Sequence, residues 1–303
     1  MRALRGGASP ALATAEAPRP AEDQVLVRTH AASLDPAPEG EIMGLQGTGR
    51  IEEDPQRLLP TGTAVAWAGV PGSCAEWVCV PRHRVVAVPR GIDTEAAATM
   101  LLPAMTAHLL LFSLRPVEAG ATVLINPADD PVGLIAAQWV HALGARAIAV
   151  SASGESAHLE RATVVRRAHV APRRAAEVGG VDLALHGAGK PGLEHALSSL
   201  RRRGILCLYG DPEQPVKRLS PVELAARGSL ALACPRLEDY LAEPDGFRMR
   251  SQAVTQAIVE GTITIPLAGA CEVEEAADAA ARMRRNKEKG LVAVRFPAGL
   301  EAP

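Results

Sequence analysis

The sequence predicts a two-domain α/β protein, in which a small β-rich domain accompanies a doubly wound parallel sheet. Three observations carry this expectation. Residues 1 to about 95 hold short alternating segments, such as Gln24-Val25-Leu26-Val27-Arg28 and Trp77-Val78-Cys79-Val80, broken repeatedly by Pro and Gly. From about 96 onward, short apolar runs alternate with segments of helical period, the pattern of β-α units. Within that region Thr122 to Ile125 reads as a buried strand, followed by a tight turn and a helix.

The elements follow in order. An Ala-rich helix is expected over Glu95 to Leu111, strands at 122–126, 146–150, 181–186, 204–209 and 229–234, and helices between most of them. Val132, Ile135, Ala136, Trp139, Val140 and Leu143 recur at helical spacing, as do Leu193, Ala196, Leu197 and Leu200. The Arg201-Arg202-Arg203 run reads as a helix end, where cations favour the C-terminal dipole, with Gly204 as the stop. After about 240, helices at Ser251 to Glu260 and Glu272 to Arg285 precede a terminal strand at Leu291 to Phe296. That tail is too short for a third domain and should pack back onto the first. The expected division is 1–95 with 241–303, against 96–240.

Composition narrows the function classes. A chain of 303 residues has length for two apolar cores, and a formal net charge of −2 with 22% charged residues implies an ordinary solvated surface. Nucleic acid is not indicated as a partner, because phosphate binding needs a basic face. The five cysteines (Cys74, Cys79, Cys207, Cys234, Cys271) form no C-x-x-C pair and no metal-type spacing, so they read as buried thiols of a reducing compartment. No apolar run suits a signal peptide or a membrane span, and a cytoplasmic setting is expected. His108 reads as a helix residue packed at the domain junction, His141 and His169 as surface residues.

The turn after the first predicted parallel strand is Asn126-Pro127-Ala128-Asp129-Asp130-Pro131-Val132-Gly133. A dinucleotide site uses glycines there, so that the backbone approaches the pyrophosphate at a helix N-terminus. Here two aspartates occupy the position. Each unit charge about 5 Å from a pyrophosphate costs about 3 kcal/mol at an effective dielectric near 20, or about a hundredfold in affinity. The alternative is that the side chains cap the helix and point away, since Asp is a favoured N-cap.

Several strings, taken together and in order, resemble the zinc-free quinone-oxidoreductase branch of the medium-chain dehydrogenase/reductase superfamily. Gly44-Leu45-Gln46-Gly47-Thr48-Gly49 resembles its G-H-E-G-x-G turn, Ala75-Glu76-Trp77 its A-E-Y, and Met105-Thr106-Ala107-His108 its L-T-A-H. Gly187-Ala188-Gly189 and Leu200-Arg201-Arg202-Arg203-Gly204 with Tyr209-Gly210 match G-x-G and L-R-P-R-G…F-G. The resemblance implies a GroES-like β-barrel domain plus a Rossmann domain, a cofactor and a small-molecule substrate in the interdomain cleft, and a homodimer. It implies hydride transfer from NADPH to a quinone or an α,β-unsaturated carbonyl. The cofactor-binding positions it implies are Thr106, Ala128, Val132, Gly133, Ser151, Ser153, Gly187 and Tyr209.

Four departures fall on functional positions. Of the glycines in the family's A-x-G-G-V-G, or G-x-G-P-V-G in its zinc relatives, only the last, the helix-packing Gly133, is kept in Ala128-Asp129-Asp130-Pro131-Val132-Gly133. The second strand ends in Ser151-Ala152-Ser153-Gly154-Glu155-Ser156, with no acid closing the strand for a ribose hydroxyl. The family's lysine for a 2′-phosphate is also missing, leaving Arg166 or Arg167 as substitutes or as a solvated pair. The stretch between Pro36 and Gly44 is about a dozen residues shorter than in the family, which reshapes the substrate pocket. Leu45-Gln46 replaces His-Glu, and no Cys, His and acid set is present nearby, so no metal site is expected.

These departures narrowly favour a cofactor-independent, non-redox step such as cyclisation, isomerisation or dehydration of a polyketide-like substrate, with no cofactor required. Candidate catalytic groups are then Asp129, Asp130, His186 and Tyr209. For His186 the competing reading is a hydrogen-bonded residue at a strand end. The alternative functions are an NADPH-dependent quinone or enone reductase, and a non-catalytic relative.

Overall fold

The computed structural model describes residues 1–154, 156–284 and 290–297. The chain divides into two compact units, one of Met1–Met105, Leu241–Gly261 and the described residues from Ile265 onward, the other of Thr106–Tyr240 with Thr262–Thr264.

In the first unit β1 (Arg2–Arg5) and β2 (Ala11–Thr14) pair as a separate antiparallel ribbon. β3 (Gln24–Ser33), β4 (Gln46–Glu53), β5 (Ala64–Ala68), β6 (Trp77–Pro81) and β7 (Val85–Ala87) pair antiparallel in one larger sheet. Their inward side chains, Val25, Val27, Ile51, Val65, Trp67, Val78 and Val80 among them, form one core. The helix expected over Glu95 to Leu111 is two helices, α1 (Thr94–Thr99) and α2 (Leu101–Phe112). The break has a local cause. Pro103 has no N–H to give to Thr99, four residues back. The Leu102 N–H is drawn instead to Gln46 Oε1 at 2.9 Å, which caps the new helix from β4.

The second unit runs β8 (Thr122–Asn126), α3 (Pro131–Ala142), β9 (Arg146–Val150), β10 (Thr163–Val165), α4 (Ala171–Ala176), β11 (Val181–His186), α5 (Leu193–Ser199), β12 (Leu200–Leu208), α6 (Pro221–Ala226), β13 (Ala231–Ala233) and α7 (Leu237–Tyr240). All six strands pair parallel, in the order β10-β9-β8-β11-β12-β13. Counted within the unit this is the doubly wound order 3-2-1-4-5-6. Strand order reverses between β8 and β11, so their carboxyl ends open a crevice at Asn126 and His186.

The arginine run is strand, not helix end. α5 stops at Ser199, Leu200 is extended (φ −69°, ψ 137°), and Arg201 lies in β12, ion-paired with Asp182 of β11. The irregular register between Val181 and Leu183 and a left-handed Arg203 (φ 62°) take up the three arginines as a bulge. Gly204 therefore continues a strand. His108 stacks on Phe112 at 4.6 Å and meets Trp139 edge-on within this unit, while His141 and His169 are exposed.

The chain then completes the first unit with α8 (Pro244–Val259), β14 (Leu267–Glu272), α9 (Ala276–Arg284) and β15 (Leu291–Arg295). α8 starts earlier than expected because Pro244 suits the first helical turn. Glu272 ends a strand that pairs parallel with β15, so α9 begins later than the expected helix, whose end at Arg285 lies outside the described residues. β15 takes Ala31–Ser33 of β3 while β6 takes Gln24–Arg28, so ten-residue β3 is the spine of the sheet. Cys74, Cys207 and Cys271 are buried as expected, but Cys79 is only half-buried and Cys234 is exposed. No helix among the described residues is long and apolar enough to cross a membrane.

Gly47 of β4 faces fully buried Trp67 of β5. A Cβ there would lie 2.5 Å from the indole ring and 2.9 Å from the Ala31 carbonyl oxygen. Gly47→Ala is therefore expected to lower unfolding free energy by about 1–3 kcal/mol in urea titration. Gly269→Ala, whose added Cβ meets nothing within 4 Å, should change it little.

Candidate functional site

The four central strands of the second unit deliver their last residues to one crevice. β8 is buried throughout and ends at Asn126. The chain then turns sharply, and the Ala128 N–H donates to the Val150 carbonyl at 2.8 Å, which ties the turn to the end of β9. Asp130 is the N-cap of α3, with extended backbone (φ −84°, ψ 159°) and Pro131 in the first turn. The Gly133 N–H donates to its Oδ1 at 2.6 Å. A Cβ at Gly133 would lie 2.5 Å from the Pro127 carbonyl oxygen, so this glycine lets helix and turn pack closely.

The other oxygen of Asp130 is also engaged. The Tyr209 hydroxyl, from the loop after β12, donates to Oδ2 at 3.2 Å. Tyr209 is 7% exposed, and its ring crosses the end of β11 where a Cβ at Gly187 would lie 2.9 Å from it. Burial pushes the Asp130 carboxyl up to about 6, against the opposing pull of the Gly133 N–H and the Tyr209 hydroxyl. Burial and the Asp130 carboxylate push the Tyr209 phenol well above its ordinary value, so at neutral pH it is a donor.

Asp129 turns the other way. Its carboxylate accepts from the Ser151 hydroxyl, from the Ala152 N–H at 2.7 Å and from the Ser153 hydroxyl at 3.0 Å. It therefore sits on the end of β9. The Ser151 hydroxyl also accepts from the Gly154 N–H at 2.9 Å. Glu155 lies outside the described residues.

His186, 1% exposed, closes β11. Its Nε2 lies 2.7 Å from the Gly189 carbonyl, which only accepts, so Nε2 carries the proton. Nδ1 then accepts from Asn126 Nδ2 at 3.1 Å. Burial lowers its pKa. Both ring nitrogens are thus committed to holding the crevice floor, the strand-end role set against catalysis above. Asn126 is absent from the candidate residues of the sequence, where its signal is a polar residue closing an apolar strand.

Of the expected residues, the structure gathers Ala128, Asp129, Asp130, Val132, Gly133, Ser151, Ser153, Gly187 and Tyr209 around one turn, with His186 beneath. Thr106 lies half-buried on α2, a separate element. The donor set is that of an anion site: the Gly133 and Ala152 N–H groups and the Ser151, Ser153 and Tyr209 hydroxyls all point at carboxylates from the chain itself. Among the described residues no group of three or more His, Cys, Asp and Glu is placed to hold a metal ion.

A family model described as zinc-binding dehydrogenase matches residues 159–294. A quinone oxidoreductase of Pseudomonas aeruginosa is 28% identical over 259 residues, covering 82% of this chain and 80% of the relative. A 2-haloacrylate reductase of a Burkholderia species is 29% identical over 210 residues, 66% of this chain and 63% of that protein. Among solved structures, a mycobacterial protein in complex with NADPH superposes with a TM-score of 0.87 at 26% identity, over 98% of this chain and all of that one. With the doubly wound sheet and the strand–turn–helix crevice in place, these similarities support the resemblance to the quinone-oxidoreductase-like members of the medium-chain dehydrogenase/reductase superfamily.

Proposed function

We propose that this protein is a reductase of quinones or other α,β-unsaturated carbonyl compounds that draws on a nicotinamide dinucleotide. The observation that carries this reading is the convergence of anion-type donors at the first turn of α3 and the end of β9, where this fold class seats a dinucleotide. The named activities of the similar proteins, a quinone oxidoreductase and a 2-haloacrylate reductase, support it over the cofactor-independent step expected from the sequence. When bound, the dinucleotide supplies a hydride for an electron-poor double bond.

The chain's own residues hold and orient. The first-turn N–H groups of α3 and the Tyr209 hydroxyl, now given to Asp130, would hold a pyrophosphate, and the end of β9 at Ser151 and Ser153 would take the adenosine end. Gly187 leaves room for the Tyr209 ring, and the family resemblance adds Thr106, Ala128 and Val132 to the lining. Asp130 is the obstacle, because its carboxylate already takes the Gly133 N–H and the Tyr209 hydroxyl. With its carboxyl raised to about 6, taking up a proton at this residue removes the repulsion at modest cost. A second reading, a non-redox step using Asp130 and Tyr209 as acid–base groups, is favoured by that same hydrogen-bonded pair. The family resemblance also supports a cytoplasmic homodimer.

Calorimetric titration separates the two readings: micromolar binding of NADH or NADPH is expected, and no binding of either at millimolar concentration would favour the non-redox step. Affinity should also follow pH. Asp130 in the folded protein holds its proton up to about 6, above its ordinary range. NAD⁺ binding should therefore weaken about tenfold or more between pH 5.5 and 8 in the native protein, and stay nearly level in Asp130→Asn. The same raised pKa means that folding stability contributed at low pH is lost as pH rises through about 6, so Asp130→Asn should gain stability over the native protein across that window. Sedimentation equilibrium is expected to return about twice the 31.6 kDa chain mass.

A further inference from the structure

The sequence lacks an acid at the end of the second parallel strand, yet the structure places a carboxylate there. It comes from the turn after the neighbouring strand. Asp129, on the turn after β8, reaches across to the end of β9 and is clamped by the Ser151 hydroxyl, the Ala152 N–H and the Ser153 hydroxyl. In nucleotide-binding sheets of this order, an acid at the end of the second strand accepts hydrogen bonds from the adenosine ribose, and its presence distinguishes a free 2′-hydroxyl from a 2′-phosphate. Residue 129 lies 22 positions before Ser151 in the chain but meets it in space.

The chemistry at this point is asymmetric. A carboxylate accepts from a ribose hydroxyl, whereas a 2′-phosphate brings only acceptors and negative charge. The three groups that would otherwise donate to a phosphate, two hydroxyls and one N–H, are already given to Asp129. One cation works the other way: the Arg166 guanidinium borders this loop, with Cζ 3.2 Å from where a Cβ on Gly154 would stand. Arg166 borders the Gly154 turn, while Asp129 holds the three donors at the strand end itself.

We propose that Asp129 makes this site selective for a dinucleotide with a free 2′-hydroxyl, so that NADH is bound in preference to NADPH. The inference rests on the reductase reading, since it requires that a nicotinamide dinucleotide binds here. Repulsion of one unit charge about 5 Å away, at an effective dielectric near 20, corresponds to about a hundredfold in affinity.

The test is direct binding by calorimetry at pH 8 of NADH and NADPH to the native protein, Asp129→Ser, Asp129→Asn and Arg166→Ala, with circular dichroism to verify folding. The native protein should bind NADH about a hundredfold more tightly than NADPH. Asp129→Ser should reduce that ratio to within a few fold of one or invert it, chiefly by strengthening NADPH. Asp129→Asn keeps the shape and loses the charge, so it should move the same way even if the serine variant folds poorly. A native preference for NADPH that Arg166→Ala abolishes, or a ratio unmoved in both Asp129 variants, would overturn the proposal and leave the reductase reading standing. Binding of neither dinucleotide to any of these proteins would overturn both.

Discussion

The hydrogen bond from the Gly133 N–H to Asp130 Oδ1, at 2.6 Å, is the contact on which the second unit's crevice turns. It starts α3, fixes where the helix leaves the sheet, and holds the second Asp130 oxygen toward the Tyr209 hydroxyl. An Asp or Asn N-cap contributes about 1 kcal/mol to a helix. Glycine at this position, as in the family pattern, would surrender only part of that contribution and leave the first-turn N–H groups for a ligand. On the proposed reading, helix stability and ligand binding compete for the same donors.

Beneath the turn, a second set of contacts keeps the crevice open without taking part in that competition. Asn126 at the end of β8 and His186 at the end of β11 are in register across the parallel pair, and the Gly189 carbonyl closes the far side of the imidazole. Such buried polar groups would be costly unpaired, and here each partner satisfies another. The histidine therefore serves as a neutral brace between the two strands where the sheet order reverses.

Much of this was legible in the sequence, and what was not has definable causes. The strands at 122–126, 146–150 and 181–186 stand where their apolar runs place them, because a strand covered on both faces by helices has no polar side to blur its limits. The split of α1 from α2 was not legible, since it needs Gln46, more than fifty residues away, to take the Leu102 N–H. Arg201 to Arg203 read as a helix end because cations suit a helix C-terminus and an exposed strand bulge alike; the pairing of β12 with β11, with Arg201 on Asp182, separates the two. At the site the residue types were visible but their directions were not. Asp129 and Asp130, adjacent in sequence, face different partners, and alternation along an extended turn is invisible to spacing rules.

That divergence gives the two carboxylates different physical roles. Asp130 is half-buried beside one N–H and one phenol, so desolvation outweighs its hydrogen bonds and its charge depends on pH near 6. Asp129 has three donors at the end of β9, including a backbone N–H that does not titrate. A ligand approaching the turn can displace the charge of Asp130 by delivering or drawing a proton. It cannot remove Asp129 from its clamp without leaving two hydroxyls and an amide to find new partners. On the proposed reading, how strongly an anionic ligand binds is governed by Asp130 and the solvent pH, and which ribose it carries by Asp129. A turn that reads as a damaged glycine loop is, in its geometry, a pair of separately held charges.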